Sequence, residues 1–137
     1  MTALIKEFNS KAKTIRIRLQ RDGLDNCLKG IVSITYGTRL TILQFDPVKL
    51  IFFLYEIGKN SAFAKIDCLL LDDDKTIRAV SIYDSRTKSD RIKITIVSAG
   101  QTLTEIRVPV REFRNRSICL HEELGQFINS AVSAVRI

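Results

Sequence analysis

The sequence predicts an α+β fold: an antiparallel sheet meander with one short internal helix and a C-terminal amphipathic helix packed on the sheet. Three observations predict it. Apolar and polar residues alternate with period two in Thr14-Ile15-Arg16-Ile17-Arg18-Leu19-Gln20-Arg21 and in Arg91-Ile92-Lys93-Ile94-Thr95-Ile96, the spacing of strands that bury one face. Asp46-Pro47 interrupts the strands with a helix start. Beyond Arg111 the apolar spacing widens to three and four residues, as on one face of a helix.

Taken in order, residues 1–12 have no clear period and contain Asn9-Ser10, so they read as an arm or a short leading element. The first strand covers 13–21 and ends at Arg21-Asp22-Gly23, a turn signal. Leu28 to Tyr36 and Arg39 to Phe45 flank Gly37-Thr38 and make a hairpin. Asp46 can accept from the free amides of a helix start, and proline at the first helical position loses nothing by lacking its N–H. A helix over 47–57 follows, with Gly58 as its left-handed cap.

Four further strands run from Ala62 to Leu71, Thr76 to Tyr83, Asp90 to Ser98 and Leu103 to Arg111. Their connections are short enough for hairpins. Phe113, Leu120, Leu124, Phe127, Ala131 and Val135 then mark the terminal helix, with Ile128 also expected to be buried. No internal repeat, linker or composition break divides the chain. The order is three strands, helix, four strands, helix, in a single domain over 1–137.

At 137 residues with a net charge of +7, the chain has the size of one domain with one core. The charge is uneven. Residues 1–39 and 85–116 each carry +5, while 46–84 carry −2 and 117–137 carry −1. Basic segments flanking an acidic middle favour a polyanionic or acidic partner. Cys27, Cys68 and Cys119 are widely spaced, with no CxxC pair and a single histidine. They read as three reduced, mostly buried thiols. The longest apolar run, Leu50 to Tyr55, is too short to span a bilayer, and the first residues lack the pattern of a secretory signal. The expectation is a soluble, cytoplasmic protein with no membrane partner.

Catalytic chemistry finds little support. His121 sits beside Glu122 and Glu123 in the terminal helix, where adjacent residues point in different directions. Asp72-Asp73-Asp74 reads as a solvated turn between strands rather than a magnesium site. No glycine-rich loop precedes a helix, and Ser98-Ala99-Gly100 is no nucleophile elbow. The reading is a non-enzyme without cofactor or metal.

The positive evidence is charge on the polar phase of the strands. Arg16, Arg18, Arg91, Lys93, Arg107 and Arg111 are expected to project to one side and to meet phosphates or acidic side chains. Arginine outnumbers lysine among them, which suits bidentate recognition. The same residues also fit the ordinary polar phase of solvated strands, whose charges discourage edge-to-edge association. Tyr36 and Tyr83 each end a strand and are candidate stacking platforms.

Two resemblances rest on organisation. Strands, then the helix begun by Gln44-Phe45-Asp46-Pro47-Val48-Lys49-Leu50, then hairpin strands, then the strand-to-helix tail Val108-Pro109-Val110-Arg111-Glu112-Phe113, resemble small bacterial immunity proteins of polymorphic or contact-dependent toxin systems. That resemblance covers about 13 to 135. It implies a non-catalytic, inhibitor-type protein that occludes a partner, such as a toxin. The charge of +7 departs from the acidity expected of an inhibitor of a basic nuclease. Basic strands with a terminal helix also resemble, in outline, the Whirly and PC4-like single-strand binders, which implies a single-stranded nucleic-acid partner. Both leave a homo-oligomer open.

Overall fold

The computed structural model describes residues 2–21, 27–61 and 65–135, with side chains described between residues 3 and 130. The strands β1 (Thr2–Ser10), β2 (Lys13–Arg21), β3 (Leu28–Tyr36) and β4 (Arg39–Phe45) pair antiparallel in chain order. Helix α1 (Pro47–Asn60) follows. A second antiparallel sheet then forms from β5 (Asp67–Asp72), β6 (Lys75–Asp84), β7 (Ser89–Ser98) and β8 (Gln101–Pro109). Helices α2 (Val110–Ser117) and α3 (Leu120–Val135) complete an α+β fold. The meander is therefore two four-stranded meanders among the described residues. Helix α1 carries the chain off the edge of the first sheet, and β5 opens a new sheet by pairing with β6.

Residues 2–10, expected as an arm or a short leading element, form β1. Leu4 and Phe8 point inward, but the inward position between them is Lys6. Its ammonium lies 2.7 Å from Glu123 Oε1 on α3. A lysine on the buried phase, with a partner 117 residues away, masks the alternation in the sequence.

The two halves repeat one plan. In each sheet the first and third connections are two residues long: Lys11-Ala12 and Gly37-Thr38, then Asp73-Asp74 and Ala99-Gly100. Tight hairpin loops need positive φ, and Lys11, Gly37, Asp73, Ala99 and Gly100 supply it with φ between 52° and 76°. A helix follows each sheet. The sequence shows no repeat because the residues differ; the order of elements is repeated.

Asp46 caps α1 as the sequence predicts, its side chain accepting from the Val48 amide at 3.3 Å with Pro47 in the first turn. Gly58 is not the cap. The helix runs on to Asn60, and Ser61 Oγ donates to the Gly58 carbonyl at 3.0 Å. A Cβ at Gly58 would meet His121 Cδ2 at 2.9 Å and Leu120 Cβ at 3.3 Å, so glycine here lets α3 approach α1.

The inner faces of both sheets share one core with the helices, including Ile15, Ile17, Leu19, Leu54, Ile77, Ile96, Ile106 and Leu120. Phe8 of β1 stacks on Phe113 of α2 with ring centroids 5.3 Å apart, and β1 lies beside β8. The tail is two helices rather than one, broken at Ile118-Cys119. Leu120, Leu124 and Phe127 are buried, whereas Ile128 is exposed. The side chains of Ala131 and Val135, the Asp22-Gly23 turn and the expected strand start at Ala62 lie outside the described residues. Of the cysteines only Cys68 is buried, which pushes its thiol up, while Cys27 and Cys119 are exposed. No helix among the described residues is long and apolar enough to cross a membrane.

Candidate nucleic-acid interface

The expected basic residues do not share one face. Arg16 and Arg18 point outward from the first sheet, on the phase opposite to Ile15, Ile17 and Leu19. Arg91, Lys93 and Arg107 point outward from the second sheet. Arg111 is not on a strand at all, because β8 ends at Pro109 and Arg111 lies in α2. Equal strand phases belong to two different sheets once α1 separates them. Tyr83 is exposed near the end of β6.

Most of these cations also have local carboxylate partners. Arg16 pairs with Glu7 across the β1–β2 ladder, and Lys93 Nζ lies 3.9 Å from Glu105. Arg107 stands between two acids, 3.5 Å from Asp84 Oδ2 and 3.8 Å from Glu105 Oε2. Arg91 Nε lies 3.8 Å from Asp84 and donates to Thr87 Oγ1 at 3.1 Å. The Arg86 amide, donating at 2.9 Å, and the Arg107 guanidinium hold the Asp84 carboxyl below the usual carboxylate range against the opposing effect of burial. Asp84 is itself buried. It therefore fixes the two arginines that surround it.

The two halves meet where the β1–β2 turn crosses β8. Lys13 Nζ donates to the Glu105 carbonyl at 3.4 Å and lies 5.6 Å from the centre of the Tyr36 ring, a cation–π contact. Tyr36 is 55% exposed. An open cleft of about 790 Å³ results. The first half lines it with Ser10, Lys11, Lys13 and Tyr36, and the second with Asp84, Ser85, Arg86, Thr87, Arg91, Glu105 and Arg107. Five cations face two carboxylates there, with hydroxyl donors between them and one exposed ring at the margin.

Of the eight residues singled out from the sequence, Tyr36, Arg91 and Arg107 come together in this cleft. Arg16 and Arg18 line a separate open surface with Ile31, Leu40 and Ile42. Lys93 is on the outward phase of β7, and neither it nor Arg111 or Tyr83 lines either cavity. Sequence reasoning missed Lys11, Lys13 and Arg86. The available signal was basic residues in or beside tight turns: Arg86 between β6 and β7, and Lys11 and Lys13 at the β1–β2 turn, which is visible only once residues 2–10 are read as a strand.

His121 stacks on Tyr55 with centroids 4.6 Å apart, its Nε2 3.2 Å from the Tyr55 carbonyl oxygen. Asp72 departs from the expected solvated turn: it is buried, accepting from the Asp46 amide at 2.8 Å, while Asp73 and Asp74 are exposed. Among the described residues no three His, Cys, Asp or Glu side chains cluster as metal ligands would. No protein-family model matches the chain, and no curated protein does so either.

Proposed function

We propose that the chain binds single-stranded nucleic acid in the cleft between the β1–β2 turn and β8, without catalysis. The observation that carries this reading is the convergence of Lys11 and Lys13 from one half with Arg86, Arg91 and Arg107 from the other beside exposed Tyr36. Cations and hydroxyls suit phosphate oxygens, which position a strand without reading its sequence. An exposed ring suits a base, because every base offers a π-face. The resemblance to Whirly and PC4-like single-strand binders points the same way. Binding of this kind tolerates sequence and depends steeply on salt.

Fluorescence anisotropy with labelled oligo-dT and oligo-rU tests it. Affinity should fall about 10- to 100-fold between about 50 and 200 mM salt, since a single strand gives a log–log slope near −0.7 for each phosphate neutralised. Tyr36→Ala should weaken binding by about 1–3 kcal/mol with little change in that slope. No binding at low salt, or binding indifferent to salt, rejects the cleft as a nucleic-acid site.

A second reading, an immunity- or inhibitor-type module that occludes a protein, draws on the open face of the first sheet. Leu40 and Ile42 are more than 60% exposed there, beside Arg16 and Arg18. Aliphatic side chains mixed with arginine suit a protein surface better than a phosphate chain. Reversing Arg16 and Arg18 separates the two readings: oligonucleotide affinity at the cleft stays within a few-fold, while a protein partner bound on this face is lost.

A further inference from the structure

Helix α1 and strand β5 leave a group of large apolar side chains bare. Val48 and Phe52 lie one turn apart on α1, and Leu69 and Leu71 take the outward phase of β5; each is more than half exposed, Phe52 by 65%. Phe52, Leu69 and Leu71 line one groove of about 240 Å³ with Lys49 and Glu56. Single exposed apolar residues need no explanation, but a contiguous patch marks an interaction surface. β5 is also an edge strand of its sheet, a place where solvent-facing charge normally discourages association. Here the outward residues at its centre and end are leucines.

We propose that this surface is the interface of a homodimer, in which a second copy of the chain packs α1 antiparallel to α1 about a two-fold axis at Phe52. Charge selects the occupant. Lys49 and Glu56 stand one turn before and one turn after Phe52 and Phe53, on the same groove. A two-fold axis makes the contact self-complementary, residue i meeting j and j meeting i. Lys49 of each protomer then faces Glu56 of the other, and both charges are matched. A partner of one charge sign would attract one of them and repel the other.

Both groups retain capacity for a partner. Lys49 lies 3.7 Å from Asp72 and its side chain is half exposed, and Glu56 accepts within its own chain from Asn60 Nδ2 at 3.2 Å. The patch shares no residue with the basic cleft. The dimer therefore does not depend on what the cleft binds.

Sedimentation velocity of the full chain across micromolar concentrations tests the proposal. The unaltered protein should dimerise, and Phe52→Glu should raise the dimer dissociation constant at least about thirtyfold, the effect of burying a charge at a central anchor. Lys49→Glu and Glu56→Lys should each weaken self-association, and mixing the two proteins should restore dimers, because each repelling pair becomes an attracting one. A loss of stability persists in the mixture, since each single variant carries its own into it, so restored dimers report the charge pairing alone; circular dichroism melts of each variant confirm that both are folded before mixing. A protein monomeric throughout the range overturns the proposal. So does a Phe52→Glu protein that dimerises like the unaltered one, or a mixture that dimerises no better than its components.

Discussion

At one crossing of the two sheets, Lys13 at the start of β2 donates to the Glu105 carbonyl of β8; at the other, Lys75 at the start of β6 donates to the Gln44 carbonyl of β4. Each lysine belongs to the second strand of its own sheet and reaches the last strand of the other. Each also lies near a ring, 5.6 Å from the centre of Tyr36 and 5.2 Å from that of Phe45. The surroundings differ. Tyr36 is exposed among Lys11, Arg86, Arg91 and Arg107, whereas Phe45 is buried and the neighbouring turn is Asp73-Asp74. Asp72, beside that turn, is occupied by the Asp46 amide and Lys49 at the start of α1. Matching geometry at both places shows that the lysine contact belongs to the fold. The chemistry found at only one of them belongs to the proposed function.

The largest effect should separate the crossings by charge. Lys11→Glu with Arg86→Glu should lower oligonucleotide affinity about 100-fold and flatten its salt dependence by about one to two phosphates. Thermal stability should change by less than about 0.5 kcal/mol, since both residues are exposed. The matching change at the acidic crossing, Asp73→Lys with Asp74→Lys, should leave the existing affinity within a few-fold. Equal effects at the two crossings would mean that binding follows net charge rather than the cleft.

Next in size is Asp72→Ala, which removes the acceptor for the Asp46 amide. Leaving that amide unmatched should cost about 1–3 kcal/mol of stability in a denaturant melt. Oligonucleotide affinity should not move. A variant as stable as the parent would show that Asp72 has no structural part in its crossing.

The smallest effect concerns Asp84, which lies against the cleft arginines. Asp84→Asn should raise oligonucleotide affinity at neutral pH by about two- to fivefold, as expected when a weak carboxylate competitor is removed. Its pKa is depressed in the folded state, so its carboxylate favours folding above the ordinary aspartate value of about 3.9. That contribution disappears as pH falls through the lower folded value. The Asn variant should thus lose less stability than the parent below about pH 4 in acid melts. Parallel acid profiles would remove Asp84 from the account.

Local chemistry was readable in the sequence wherever neighbours in the chain decide the outcome. The bounds of β2 follow from period-two alternation, those of β3 and β4 from the apolar stretches on either side of Gly37-Thr38, and Asp46-Pro47 marks the first turn of α1. Distant partners decide the remainder. Lys6 needs Glu123 to sit inward on β1, and Gly58 makes room for α3 instead of ending α1. One sheet became two because nothing local distinguishes the inward phase of one sheet from that of another. The candidate cleft was legible to the same degree: Tyr36, Arg91 and Arg107 were visible as types, but the turn that brings Lys11 and Lys13 to them is a tertiary contact.

The link from Lys6 and Phe8 of β1 to Glu123 of α3 and Phe113 of α2 also sets an order of events during synthesis. The first sheet can pair its strands as soon as β4 has emerged, yet part of its inner surface is covered by α2 and α3, which are made after the second sheet. Until then Leu4 and Phe8 lie bare on the nascent chain, with an unmatched lysine between them. Native closure therefore waits for contacts of large sequence separation, which form slowly and leave apolar surface exposed while they do. Lys6 serves this waiting state as well as the finished one, because a charge amid uncovered apolar side chains deters the partial sheet from joining others of its kind.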